Sequence, residues 1–432
     1  MEQKYNIVIL SNQFYDQPLK TNKWHVATRL AALGHNVIFV DPPTRFKVFK
    51  SVIKSPKDFF SILFRPIKKL ESEVFLYTPI NLFNFGVFSK INSFFQIKNL
   101  KNKLLEFGPA PTILWIYHFD FPGLENLVSS VKFDLKLYDV VDEYTAFPEY
   151  SKKAKTNTGL VLIIQSFDEA LKIKLNQGGL SGKDWVINRE SWLTEISDLI
   201  FASAPGLVLK FTKILSEKSL KKDVHFVPNS GDYQRYKDVK EYKKSIPSDI
   251  EILPRPRICY AGAIDTYKMN LPLVELAAKA YPEYSFVLLG PEKVSDPDLD
   301  LSGLKKLSNV TFLGTRPYES MPYYFAGSDA FIIPYNLNDY TVGGCFPVKF
   351  HDALSAGLPV IVTNMPAYTP FSDVCYIAKS DKEFVEMIKE ALEEDNEQKF
   401  AQRQAVAKNN SWDGKVKTQL SLISDFLASK KK

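Results

Sequence analysis

Cysteine is scarce: Cys259, Cys345 and Cys375 are the only three in 432 residues. An odd count, widely spaced, excludes a disulfide framework and shows no metal-ligand spacing. Long apolar runs are missing too. No stretch reaches eighteen uninterrupted apolar residues, which excludes a simple membrane-spanning helix. The N-terminal apolar run Tyr5–Leu10 is too short for a secretory leader and stops at Ser11-Asn12, so a cytoplasmic protein is expected. Charge of one sign is not in large excess. A net charge of +6 is small for this length and does not point to nucleic acid. What is present, 45% hydrophobic and 24% charged residues, is the composition of a globular protein, and the length predicts two domains.

The chain reads as two α/β halves. In the first, the apolar run Asn6–Ser11, the helical spacing of Trp24–Leu33 closed by Gly34, and the β-rich Asn36–Val40 form a strand–helix–strand unit, which implies parallel strands. Further β-rich runs lie at Thr112–Tyr117, Leu135–Val141 and Leu199–Ala204. The pattern restarts with strands at Arg257–Ala261, Tyr284–Leu289, Val310–Leu313, Ala330–Pro334 and Pro359–Thr363, and a helix at Leu271–Ala280. Residues 237–256 between the halves are charged, hold three prolines and lack a period, so they are the expected linker. Two doubly wound domains are predicted, with ligands beyond the carboxyl ends of their strands.

The segment from Pro347 to Val360, PVKFHDALSAGLPV, carries the strongest signal. Pro347 suits a first helical turn, where its missing N–H costs nothing. The N–H groups of that turn, Lys349 and the helix dipole form an anion site, and Asp352 lies about one turn on, where a carboxylate can accept ribose hydroxyls. Gly357 closes the helix and Pro359-Val360 enters the next strand. This segment resembles the donor-binding helix of GT-B-fold glycosyltransferases of group 1 (family 4-like), as found among enzymes that build bacterial surface polysaccharides. Tyr260-Ala261-Gly262-Ala263 with Lys268 resembles that family's first phosphate loop, and FVLLGP at 286–291, VTFLGTRPY at 310–318 and SDAFIIP at 328–334 follow in the family's order.

The resemblance implies a GT-B fold: α/β, two facing Rossmann-like doubly wound domains with a C-terminal crossover helix. It divides the chain into an acceptor-side domain at 1–236, which the returning helix 412–432 rejoins, the linker 237–256, and a nucleotide-sugar domain at 257–411. Ser411 is the expected cap of that helix and Trp412 its anchor. The implied activity is transfer of a hexosyl or related sugar from a nucleotide diphosphate donor to a saccharide or lipid-linked acceptor. The implied donor site comprises Gly262, Lys268, Gly290, the Arg316-Pro317-Tyr318 loop beside the nucleobase, Gly343, Gly344, Lys349 and Asp352. The Gly343-Gly344 pair is expected to bring backbone N–H groups to the phosphates or sugar. The sequence departs from the family in two places. Gly344 stands where many retaining members carry a glutamate, and Ala263 where many carry a basic residue.

With no metal motif, no cofactor is expected, and Lys268 and Lys349 are the choices to stabilise the departing diphosphate. Asp142, at the end of an apolar strand in Tyr138–Tyr144, is the candidate base for an acceptor hydroxyl, with His118 the competing one and Asp139 assigned to holding backbone. Residues 44–70 carry eight basic residues and one acidic, Asp58, interleaved with phenylalanine and isoleucine, and residues 82–100 add five more phenylalanines. Both stretches suit a peripheral membrane surface on the cytoplasmic face. Two other readings keep the fold: a sugar-nucleotide epimerase, for which five histidines supply few acid–base groups, and a non-catalytic partner protein.

Overall fold

The computed structural model describes residues 3–17, 20–43, 67–81, 86–146, 182–293, 296 and 298–430. Two sheets organise the chain. The first has eight strands in the order β3-β4-β2-β1-β5-β6-β7-β8, ending at β8 (Val224–Phe226), and the second six in the order β11-β10-β9-β12-β13-β14, ending at β14 (Tyr376–Ala378). All neighbours are parallel except β3 (Ile67–Lys69), which pairs antiparallel with β4 (Phe75–Tyr77) at an edge. Parallel sheets are covered on both faces, so their strands are apolar throughout instead of alternating. That is why β1 (Asn6–Leu10) is buried along its whole length. Ile7 and Ile9 enter one layer of core while Val8 and Leu10 enter the other.

The remaining central strands match the apolar runs to within a residue or two: β2 (Asn36–Val40), β5 (Thr112–Ile116), β6 (Leu135–Val140) and β7 (Leu199–Ala202) in the first sheet. In the second they are β9 (Arg257–Ala261), β10 (Ser285–Leu289), β11 (Val310–Gly314), β12 (Ala330–Ile333) and β13 (Val360–Thr363). The first helix spans Asn22–Ala32, two residues earlier than its apolar spacing indicates. Residues 237–256 are less open than a linker reads. They form short helical turns at Glu241–Lys244 and Ser248–Glu251, and Ile250 is sealed in the core of the second sheet.

The last helix, Trp412–Ser429, returns to the first sheet. Its Trp412, Val416, Ile423 and Leu427 lie in the same core layer as Ile7, Ile9, Val37 and Phe39, and Trp412 stacks on His25 at 4.7 Å. Ser411 caps it by accepting the Gly414 N–H. Beneath it, the buried Asp139 accepts from Trp115 Nε1 and Gln419 Nε2, fastening strand β6 to the helix. The two crossings between the sheets run side by side. The Gly231 N–H donates to the Asn410 carbonyl, and the Trp412 N–H to the Gly231 carbonyl, both at 3.1 Å.

Candidate donor and acceptor site

The carboxyl ends of both sheets face one cleft of about 380 Å³. The second sheet supplies its floor. Gly262 and Gly290 follow β9 and β10 with φ of +146° and +142°, a region closed to most side chains. They sit backbone against backbone: a Cβ on Gly290 would lie 1.9 Å from the Gly262 carbonyl oxygen, and one on Gly262 would lie 2.1 Å from Lys349 Nζ. Only glycine at both places lets the lysine reach the loop.

Lys349 lies in the first turn of the helix Val348–Ser355, whose cap Pro347 contributes no side-chain hydrogen bond. Its Nζ donates to the Tyr260 hydroxyl at 3.0 Å and lies 4.1 Å from that ring and 5.2 Å from the Tyr335 ring. Burial, and then the charge of Lys268, push its pKa down to about 7. An anion in the cleft would reverse both effects. Lys268 lines the same wall, 5.1 Å from the Tyr340 ring. One turn past Lys349, Asp352 also lines the cleft; burial pushes its carboxyl up to about 7, against the pull of the hydrogen bond from the Asp232 N–H to its Oδ1 at 2.8 Å. That bond joins the helix to the crossing at Gly231-Asp232.

The loop after β11 is more constrained than its sequence indicates. Arg316 lines the cleft, but its Nε donates to the Tyr324 hydroxyl at 2.7 Å and its guanidinium pairs with Asp249 at 2.8 Å. Tyr318 also lines the cleft, with its hydroxyl donating to Asp232 at 3.1 Å and Arg235 stacked 4.2 Å over its ring. Pro317 is not among the residues that line the cleft. Its carbonyl holds the Ser320 N–H, so it shapes the turn.

From the first sheet, Asp142 lines the cleft opposite Lys268 and accepts from the Tyr340 hydroxyl at 2.7 Å, a bond between the two domains. Its neighbour Glu143 is spent elsewhere, on Lys210 at 2.6 Å and on Thr145. His118 does not line the cleft. Its N–H donates to the Leu10 carbonyl and its ring meets Phe121 edge-on, so it caps strand ends behind the site. Gly343 and Gly344 also lie away from the cavity, contrary to their expected role at the phosphates. They end the helix Asp339–Gly344 where the domains touch: a Cβ on Gly206 would be 1.8 Å from the Gly343 carbonyl oxygen, and one on Gly344 2.5 Å from Glu143 Cβ. The small size of Gly206 and Gly344 serves domain contact, whereas a Cβ on Gly343 would meet nothing within 4 Å.

Three participants escaped the sequence reading. Lys23 is 3% exposed on the cleft wall. Asn229 accepts from Asn22 Nδ2 and donates to the Phe346 carbonyl, bridging the domains beneath the cleft. Tyr340 holds Asp142. Polar Thr21-Asn22 ahead of an apolar helical run is a helix-start signal that would have placed Lys23 in a first turn. Nothing local marks Tyr340 or Asn229.

Two facing parallel α/β domains that share a cleft, with a returning C-terminal helix, define the GT-B class of glycosyltransferase. Residues 255–394 match the family model described as Glycosyl transferases group 1. Solved structures with the same fold include a sucrose-phosphate synthase from Thermosynechococcus elongatus, 13% identical, covering 99% of this chain and 100% of that one with a TM-score of 0.63. Another is HepE of Anabaena in complex with UDP and glucose, 12% identical, covering 97% of this chain and 99% of that one with a TM-score of 0.61. In sequence the chain is similar to TuaH of Bacillus subtilis (strain 168), named for a glycosyltransferase role in teichuronic acid biosynthesis. The two are 25% identical over 293 residues, which span 66% of this chain and 64% of that relative.

Proposed function

We propose that this protein is a glycosyltransferase that moves a sugar from a nucleotide diphosphate donor to a saccharide or lipid-linked acceptor in cell-surface polysaccharide synthesis. The observation that carries the reading is the cradle of Gly262, Gly290 and Lys349 with Asp352 one turn further on. The paired glycines leave a backbone-walled hollow, Lys349 supplies charge inside it, and Asp352 is placed for ribose hydroxyls. A lysine there counters charge that grows on the departing diphosphate, an interaction strongest in the transition state. In this reading Lys268 and Lys349, and not a metal, meet that charge, and chelator leaves turnover unchanged. Asp142 takes the proton of the acceptor hydroxyl, and Tyr340 orients it.

The acceptor reading extends to a membrane surface. Among the described residues, the helix Gly86–Phe107 buries Leu100 in the first core and exposes Ile91, Phe94 and Phe95 beside Lys90 and Lys98. That pattern supports peripheral binding to anionic lipid on the cytoplasmic side. Residues 44–66 and 82–85 of the two basic–aromatic stretches lie outside the described residues, and Ile67–Lys69 is an edge strand. Co-sedimentation with anionic vesicles but not with neutral ones is the expected result.

A panel of sugar nucleotides tests the activity. Transfer, or slow hydrolysis that releases a nucleoside diphosphate, is expected. An epimerised sugar, or binding without any turnover, would overturn the reading.

A further inference from the structure

Lys23 has no role in the site as built so far. It lies in the first turn of the eleven-residue helix Asn22–Ala32 and is 3% exposed. Among the described residues its Nζ makes no hydrogen bond, and its nearest aromatic ring is Tyr117 at 5.8 Å. A buried ammonium without a hydrogen-bond partner is costly, and one in a cleft wall awaits a ligand. The carboxylates within electrostatic reach, Asp142 and Asp139, offset part of its charge but accept their hydrogen bonds from other groups: Asp139 from Trp115 and Gln419, Asp142 from Tyr340. The helix start around Lys23 is also unfilled. Thr21 gives no side-chain cap, since its hydroxyl donates to Gln13 Oε1 at 2.6 Å, and Thr21, Asn22 and Lys23 all line the cleft.

The opposite wall gives the scale of the charge. Lys23 lies within electrostatic range of Lys268, and Lys268 within range of Lys349. Three ammonium groups from two domains therefore converge on one cavity. On the second-domain side the loop after β9 offers Gly262-Ala263, with no cation before Lys268. Their mutual repulsion, which Asp142 offsets only in part, favours an anion of more than one charge between them.

We propose that Lys23 is the first domain's contact to the donor's diphosphate, so that the diphosphate is gripped from both walls and domain closure is coupled to its charge. This rests on the nucleotide diphosphate site proposed above. Charge-assisted hydrogen bonds of this kind contribute about 1.5–3 kcal/mol, or roughly ten- to hundredfold in affinity.

Calorimetric titration of the full chain with UDP, GDP and ADP, their nucleosides and inorganic pyrophosphate tests the proposal. The base that wild type prefers is carried forward to Lys23→Met and Lys23→Arg. Lys23→Met is expected to lose roughly ten- to hundredfold in affinity for the nucleoside diphosphate while nucleoside affinity is unchanged. Its fold should persist, because it replaces a buried charge by an apolar chain of similar length; Lys23→Arg should recover most of the loss. Diphosphate affinity within twofold of wild type in Lys23→Met would overturn the proposal, and a raised KM for acceptor in that variant would assign Lys23 to the acceptor instead. If the wild type itself binds the diphosphates no better than the nucleosides, the donor site as a whole falls, a failure that is visible before any variant is made.

Discussion

Lys349 and Asp352 face the same cleft with opposite proton preferences, and both are pushed to about 7. A donor diphosphate requires the charged lysine; a ribose requires the charged carboxylate. Lys349 owes its depression to burial and Lys268, with Cys345, Asp265 and Cys259 opposing. Asp352 owes its elevation to burial, with the Asp232 N–H, Arg235 and Arg29 opposing and the Asp232 carboxylate reinforcing. The signs follow. As pH rises through about 7, Lys349 loses its proton and donor affinity falls, about tenfold (~1.4 kcal/mol) for each further unit. As pH falls through about 7, Asp352 gains a proton and affinity falls again. Donor affinity should therefore form a narrow bell centred near pH 7, with roughly a quarter of the molecules in the competent state at its top. A nucleotide diphosphate sugar is the right ligand, because its phosphodiester oxygens do not titrate in this range. Calorimetry between pH 5.5 and 8.5, in two buffers of different ionisation enthalpy, should show proton uptake on the alkaline side and release on the acid side. Lys349→Arg should flatten the alkaline limb alone, and Asp352→Asn the acid limb alone, at a lower maximum. Affinity that is flat across the range, with no proton exchanged, would refute the argument that burial of these two groups is relieved by the donor.

Further outcomes are expected. Gly344→Ala puts a Cβ 2.5 Å from Glu143 Cβ, so it should hold the domains apart; kcat/KM should fall about a hundredfold while nucleoside affinity is retained, and unchanged turnover would show that closure at this contact is not needed. Asp142→Asn should lower kcat by about 10²–10⁴ with little change in donor KM, and a smaller loss would remove Asp142 from proton transfer. Trp412→Ala should cost about 3–5 kcal/mol in urea unfolding, because Trp412 is fully buried, whereas Trp412→Phe should cost less since its Nε1 has no hydrogen-bond partner to lose. Deleting residues 412–432 should leave the chain unstable, and a folded, active truncation would contradict the packing of that helix.

The central strands were legible because a parallel strand covered on both faces is a continuous apolar run. The short strands toward the margins of the first sheet were not. Ile67-Lys68-Lys69, Phe75–Tyr77 and Val224-His225-Phe226 are three residues each and owe their form to a neighbour. Local propensity cannot single out so short a segment. Gly262, Lys268, Gly290, Lys349 and Asp352 each stand in a contiguous motif of one domain, and the structure brings them to one cleft. His118 and the Gly343-Gly344 pair went astray because a strand-end or glycine position does not specify what it faces. Lys23, Asn229 and Tyr340 have roles that exist only once two domains are juxtaposed, which no window of sequence contains. Within the expected linker, prolines and charges hide Ile250, whose burial depends on the second core.

The return of Trp412–Ser429 to the first sheet has a consequence for how the chain is made. The layer built on Ile7, Ile9, Val37 and Phe39 is finished by residues that a ribosome adds only after the whole second domain. Domains ordinarily fold in order as they emerge. Here the second domain, an insertion in the first, has all of its strands synthesised while the older sheet still bares one apolar face. The nascent chain must carry that surface through most of translation, so a chaperone that grips apolar segments should be found on stalled chains ending before Trp412 and released from those extending past Leu427. A stop codon just before Trp412 would then be as damaging as one in the middle, although every donor-site residue precedes it.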